Sequence, residues 1–479
     1  MAAGACIVAG EAADEMSAPG ARKKAVRMTL STERGAVSPE WVLDHVDGRS
    51  SDELSTAIAT LIRSGELPAG AQLPTVRDLA RTGRVSAGSV VSAWSTLRDQ
   101  GLIRTQRRGG TVVLPLPGSD FAGWGGIDLG QAATDIRLHP PLGDALLSSL
   151  DAETLNVFGR EVMTDRLRDA VADDWPFAPE AWMTAGGGTE ALLLAIEAAA
   201  PPGTIVAVDE PLGPGVLDTL RDLGLQAVGV ESDAEGPRPE ALRAALDAGA
   251  AAFVFQPGAP FAVRHVVTPE RTAELAAVLA EREHVPWVIE DDSIGPLESA
   301  PTPSMGALLE GRVLRIRSFC KAYGIDVRTS VLGGASELIE RAMRLRSHGV
   351  GSNSRILQNT LAYLVRSPEA AASVAVARER YASRRETLLS ALRAQGLTAR
   401  AGENSLVVWV DVPDETAALL ALARRGIVVG AGSRSFVGAG EDQMLRISVT
   451  QLPDDAVVID DLASDVAKAT RLGAREFFD

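Results

Sequence analysis

Residues 317–328 read Arg-Ser-Phe-Cys-Lys-Ala-Tyr-Gly-Ile-Asp-Val-Arg, and Lys321 in this run is the only lysine between residues 25 and 467. Of the 47 basic residues in the chain 43 are arginine, the other lysines being Lys23, Lys24 and Lys468. A chain that uses guanidinium almost everywhere has kept one primary amine in mid-sequence, and a primary amine forms imines where a guanidinium does not. A lysine that drift has spared gives the same count, so the neighbours must decide. Ser318 stands three residues before it and Arg328 seven after it.

Two further stretches bear on this lysine. VIEDDS, residues 288–293, ends an apolar run in carboxylates, and TAGGGTEALLLAIEAAA, residues 184–200, is a glycine-rich turn running into a helical pattern. Pyridoxal phosphate needs such pieces together: an amine for its aldehyde, a carboxylate for its ring nitrogen and a cradle for its phosphate. The cradle calls for glycines that let backbone approach, a helix N-terminus, an arginine and hydroxyls. Around these pieces, β-rich runs (TIVAVDE 204–210, AAFVFQP 251–257, VPWVIEDD 285–292) alternate with Ala/Leu-rich helical patterns. That alternation predicts a largely parallel α/β sheet. From about Ser373, the helix carrying ARERYASRRETLLSALRAQG leads to LVVWVDV and MLRISVT, which reads as a smaller α/β subdomain.

The N-terminal part has a different period. SDELSTAIATLIRS, residues 51–64, places Leu54, Ile58, Leu61 and Ile62 on one helical face, and GELPAG ends it. TVRDLART (75–82) predicts a second helix with Thr75 as cap, and Ser86 caps a third that runs to Gln100 and stops at Gly101. LIRTQRRGGTVVL, residues 102–114, is two β-rich runs about a basic turn, a hairpin. Three helices and a hairpin make a winged helix-turn-helix. PLPGSDFAGWGG, residues 115–126, is the natural join to the rest.

At 479 residues the chain is too long for one core, and its net charge of −16 argues against indiscriminate coating of nucleic acid. The charge is uneven: residues 51–115 hold eight arginines against five acids, a balance of +3, leaving −19 elsewhere. Cys6 and Cys320 stand far apart and the five histidines show no ligand spacing, so neither a disulfide framework nor a metal site is expected. Cys320 reads as a buried, inert thiol and His265 and His284 as ordinary histidines. No membrane span and no signal peptide is read, so the expected location is cytoplasmic. Residues 1–37 read as a disordered extension, with Met16 or Met28 equally able to begin the chain.

LPTVRDLA (73–80), VSAGSVVSAWSTLRDQGLI (85–103) and RRGGTVV (107–113) closely resemble the GntR-type winged helix. The resemblance implies contacts to double-stranded operator DNA by Arg77, Ser86, Ser89, Arg107, Arg108 and Gly109. Where many relatives carry arginine after the capping serine, this chain has Ala87. A winged helix that binds protein is the alternative. The chain from about 127 to 475 looks like the fold type I aminotransferases, and the whole resembles the MocR subfamily of GntR regulators. The implied domains are a winged helix-turn-helix over 38–114, a linker over 115–126, and aminotransferase-like large (127–372) and small (373–479) domains.

By the same resemblance Lys321 forms an internal aldimine with pyridoxal phosphate and Asp291 pairs its ring nitrogen. Ser318, Arg328, Gly187 and Gly188 bind its phosphate, and Arg446 receives the carboxylate of a small-molecule effector. A rim salt bridge is the other reading of Arg446. A homodimer is implied as well. The chain also departs from the pattern. Leu212-Gly213 replaces the Gly-Tyr whose aromatic stacks on the ring, Phe261-Ala262-Val263-Arg264 replaces Asn-Pro-Thr-Gly, and Ser293 stands where tyrosine is usual. Three functions stay open: a regulator sensing the cofactor or an amino-bearing effector, an aminotransferase with a vestigial winged helix, and a regulator whose body binds no cofactor.

Overall fold

The computed structural model describes residues 36–473 except 47–48, 64–66, 68–69, 107–109, 115–123, 125–126, 153–154, 158–161, 214, 299, 347–352 and 439–442. Of the expected extension only Ala36 and Val37 are described, and of the expected linker only Trp124; Cys6 and the wing residues Arg107, Arg108 and Gly109 lie outside the described residues. The chain divides into two compact units, Met1–Pro115 and Leu116–Asp479.

The first unit contains helices α1 (Pro39–Asp44), α2 (Ser51–Arg63), α3 (Val76–Gly83) and α4 (Ala87–Asp99), with strands β1 (Gln72–Leu73), β2 (Ile103–Gln106) and β3 (Gly110–Val113) in the order β1-β3-β2. α1 and β1 are additions to the three helices and hairpin read from the sequence. Both are too short for periodicity to reveal, and β1 exists through its antiparallel pairing with β3. Leu54, Ile58, Leu79, Val90 and Leu97 are fully buried and form the core, as the helical spacing of α2 requires. Thr75 caps α3 by accepting from the Asp78 N–H at 3.2 Å, and Ser86 caps α4 by accepting from the Ser89 N–H at 2.9 Å.

The second unit carries a seven-stranded sheet. Its strands are β5 (Ala181–Ala185), β6 (Ile205–Asp209), β7 (Gln226–Val230), β10 (Ala250–Phe255), β11 (Trp287–Asp292), β12 (Val313–Ser318) and β13 (Ser330–Gly334), in the order β5-β13-β12-β11-β10-β6-β7. A small hairpin, β8 (Ser232–Asp233) with β9 (Gly236–Pro237), accounts for the gap in numbering. Only β13 runs against its neighbours. The parallel strands are near-continuous apolar runs because helices cover both faces. Among the described helices are α5 (Gly143–Leu150), α6 (Asp165–Val171) and α7 (Gly188–Ala199), α7 following β5 through the glycine-rich turn.

A second sheet, ordered β14-β15-β17-β16-β4, joins β14 (Ala399–Arg400), β15 (Val407–Asp411), β16 (Val428–Ala431) and β17 (Met444–Ser448) to β4 (Asp128–Leu129). β4 lies in the stretch expected to belong to the large domain, yet it pairs in parallel with β16. The expected boundary at 372/373 likewise falls inside one 27-residue helix, Pro368–Ala394. One buried cluster includes Leu129, Phe319, Tyr323, Tyr381, Val408 and Ile447, so the two sheets share a core. Among the described residues no helix is long and apolar enough to cross a membrane.

Candidate functional site

The carboxyl ends of parallel strands are where open α/β sheets bind ligands, and the residues singled out around Lys321 meet at that edge. β5, β13 and β12 bring Ala185, Ser330 and Ser318 side by side. Ser318 is buried, and a Cβ on Gly188 would lie 3.1 Å from its Oγ, so a side chain at the first residue of α7 would press on the strand end. Gly187, the N-cap, has φ +122°, a conformation that side chains disfavour, and Arg328 Nη1 lies 4.0 Å from where its Cβ would stand. Arg328 is exposed, has φ +43°, and its carbonyl accepts from Asn353 Nδ2 at 3.1 Å. Glu190 accepts from the Gly186 N–H and pairs with Arg346 Nε at 3.4 Å, which ties the turn to Arg346.

Lys321 is half-buried in the short helix Cys320–Tyr323, and its Nζ donates to the carbonyl of Ser293 at 3.0 Å. The two aspartates at the end of β11 separate by face, since successive strand side chains point to opposite sides. Asp292 is tied to Arg315 Nη2 and Arg317 Nε, both at 3.0 Å, and Arg315 Nη1 also binds Glu290 at 3.0 Å. Arg315, Glu290 and Asp292 are essentially inaccessible to solvent, and the arginines hold Asp292 below its ordinary value against the cost of burial. Asp291 belongs to the other face. Burial raises its carboxyl to about 6, with nearby Lys321 acting to lower it and Asp292 to raise it. The chain therefore reserves one carboxylate of the pair for structure and leaves the other beside the lysine.

Arg446, on β17, is buried, which excludes a rim salt bridge. Nη1 donates to Ser435 Oγ at 2.7 Å and Nη2 to the Gly130 carbonyl at 2.8 Å. Burial lowers its value to about 10, with Arg434 adding to the effect and Asp128 and Glu415 opposing it, and no carboxylate pairs with it directly among the described residues. A buried guanidinium with neutral partners and spare donors is suited to a carboxylate ligand.

The ring side of the site differs from the phosphate side. A Cβ on Gly213 would stand 2.9 Å from Phe261 Cε2, so Phe261 fills the space that a side chain at 213 would need. Phe261 packs with Val407, Trp409 and Met444, and its carbonyl accepts from Trp409 Nε1 at 2.9 Å. The two departures from the aminotransferase pattern are thus one exchange. The hydroxyls of Ser293 and Ser330 are buried without hydrogen-bond partners. Cys320 is half-buried rather than buried, with Sγ 3.2 Å from Ser318 Oγ.

In the first unit Arg77 and Ser86 are exposed, and the Ser86 and Ser89 hydroxyls lie 2.9 Å apart, engaged with each other at the cap. The sequence reading missed Arg84, exposed in the turn between α3 and α4 with φ +50°. It also missed Arg315, Ser435 and Gly130, whose roles depend on partners 11 to 316 residues away. Only the left-handed turn that Gly83-Arg84 suggests had a local signal.

A model of the class I and II aminotransferases matches residues 127–459, and one of the bacterial regulatory proteins of the gntR family matches residues 50–113. The chain is 30% identical to the vitamin B6 salvage pathway transcriptional repressor PtsJ of Salmonella typhimurium, over 88% of this chain and 99% of that one. It is 25% identical to the pyridoxine biosynthesis transcriptional regulator PdxR of Corynebacterium glutamicum, over 81% and 89% of the two chains. An aspartate aminotransferase from Thermus thermophilus solved with maleate shares the fold, with TM-score 0.62 at 22% identity over 80% of this chain and 96% of that one. The chain belongs to the MocR subfamily of the GntR-type DNA-binding transcription regulators, in which a winged helix-turn-helix is fused to a class I/II aminotransferase-like body.

Proposed function

We propose that this regulator binds operator DNA through Arg77, the N-terminus of α4 and the wing residues Arg107, Arg108 and Gly109, and that its body senses pyridoxal phosphate or an amino-bearing effector at Lys321. The observation that carries the reading is the convergence of Ser318, Gly187, Gly188 and Arg328 on the N-terminus of α7, beside Lys321 and Asp291. The residues present fit the phosphate and amine ends of the cofactor. Closely packed glycines and the unpartnered Ser330 hydroxyl leave donors for a phosphate dianion. When bound, pyridoxal phosphate supplies an aldehyde that a primary amine condenses with and a ring that withdraws electrons. Lys321 provides the amine, Asp291 a carboxylate for the ring nitrogen, and Arg446 a seat for an effector carboxylate. The names of PtsJ and PdxR, both tied to vitamin B6 pathways, support an effector of that class.

A homodimer completes the proposal. Ile136, Leu147, Leu150 and Ile325 are large apolar side chains left exposed, and Ile325 lies in the segment that joins Lys321 to Arg328. Closure of an effector over Arg446 would change how the two winged helices are presented to DNA.

The Phe261–Gly213 exchange favours a second reading, in which the body takes a carboxylate-bearing molecule at Arg446 without the cofactor. One experiment separates the readings: absorption spectra with added pyridoxal phosphate for the native protein and Lys321→Ala, alongside DNA binding. A new absorption band in the native protein alone, with changed DNA affinity, supports the first; no band with an intact response to a carboxylate effector supports the second. Repeated turnover of an amino donor and acceptor would instead make the protein an aminotransferase.

A further inference from the structure

α4 is the second helix of the helix-turn-helix, the one that enters the major groove in this architecture. Its inner face is Val90, Ala93, Trp94 and Leu97. Its outer face over the first two turns is Ala87, Gly88, Val91 and Ser92, all exposed, with Val91 51% exposed. These positions recur at helical spacing on one side. None of them is Arg, Lys, Asn, Gln, Asp or Glu, the side chains that read guanine, adenine or cytosine by hydrogen bonds.

The two serines nearest them are committed elsewhere. Ser86 Oγ accepts from the Ser89 N–H and is paired with Ser89 Oγ, each at 2.9 Å. Gly88 leaves open space, since a Cβ there would meet only Ser86 Oγ within 4 Å. Apart from the Ser92 hydroxyl, the face offered to the groove is therefore methyl and methine surface on a helix that approaches closely. Among the base edges of the major groove one feature is apolar, the 5-methyl group of thymine.

Charge is arranged around this face rather than on it. Arg77, Arg81 and Arg84 are exposed on α3 and the turn to α4, in a unit whose balance from 51 to 115 is +3. Such arginines grip phosphates and set register without reading sequence.

We propose that α4 reads its operator through thymine methyl groups, with Val91 as the principal specificity residue and Ala87 beside it. The inference rests on the winged helix being the DNA-binding unit and adds the chemistry it recognises.

The test uses the full chain. Duplexes enriched from a random pool are resynthesised with each thymine replaced singly by deoxyuridine, which keeps pairing and O4 and removes only the methyl. T·A pairs are expected in the enriched core, and deoxyuridine at one or two of them weakens binding about fourfold each, the worth of one buried methyl. In Val91→Ala the same replacements change affinity less than twofold, while in Arg77→Ala all duplexes bind more weakly with the methyl dependence kept. Val91 is half exposed, so its truncation spares the core. Unchanged affinity at every deoxyuridine position, or equal sensitivity in Val91→Ala, overturns the inference. A pool from which nothing is enriched overturns the DNA-binding reading and the inference with it.

Discussion

The guanidinium of Arg446 donates to the carbonyl of Gly130 at 2.8 Å, across 316 residues of sequence. Gly130 follows β4 directly, and β4 is the first strand of the body after the join to the winged helix. Gly130 and Gly430 are both glycine for a packing reason. A Cβ on Gly130 would lie 3.2 Å from the Gly430 N, and one on Gly430 would lie 2.8 Å from Arg446 Nη2. The other partner of Arg446, Ser435, accepts through its carbonyl from the Leu212 N–H at 2.8 Å. The candidate carboxylate seat thus joins the residue after β4 to the loop beyond β6 that holds Leu212.

Arg446→Ala strands the Gly130 carbonyl and the Ser435 hydroxyl in the interior. A loss of about 1–3 kcal/mol is expected, read as a lower denaturation midpoint. The change in DNA affinity on adding a carboxylate effector disappears, while any cofactor band at Lys321 persists.

Asp291 makes stability depend on pH in a defined direction. Its folded value is raised to about 6 by burial. Its contribution is full below the unfolded value near about 4 and is lost as pH rises through about 6. Asp291→Asn should therefore flatten the fall in stability across this window and gain on the order of 2–3 kcal/mol at pH 7. Retention of pyridoxal phosphate should fall at the same time, measured by dialysis and absorbance.

Arg315 holds Glu290 and Asp292 in a site closed to solvent. Arg315→Met leaves Glu290 buried without a guanidinium and Asp292 with Arg317 alone, and should cost about 3–5 kcal/mol, seen in chemical denaturation. A triple change that also makes Glu290 and Asp292 apolar should recover most of it.

Gly213→Tyr restores the ring-stacking residue type at a position where Phe261 leaves no room. Overpacking of about 1–3 kcal/mol is expected. Adding Phe261→Asn should relieve it and tighten pyridoxal phosphate binding, measured by titration of the absorption change.

DNA binding should weaken steeply with salt, since arginine–phosphate contacts release counterions. Arg77→Ala should lower affinity for specific and random duplexes alike and reduce the slope of log affinity against log salt by about 1, measured by fluorescence anisotropy.

The sequence by itself determined the elements and the chemistry that local order can encode. Helical spacing from Leu54 to Ile62, the caps Thr75 and Ser86, and the glycine turn before α7 are set within a few residues, and the structure shows each of them. The isolation of Lys321, and its spacing to Ser318 and Arg328, were also legible, because they lie on one strand–helix–strand passage. The resemblance singled out Asp291 of two adjacent aspartates, but only the tertiary structure gives the reason, since Arg315 and Arg317 hold Asp292 on the other side of the sheet. Tertiary structure alone showed that Phe261 and Gly213 exchange volume, that β4 belongs to the second sheet, and that Arg446 is buried against Gly130. Each of these is a contact between residues far apart in the chain. Such contacts follow from how sheets and helices pack, which short-range spacing and propensity do not specify.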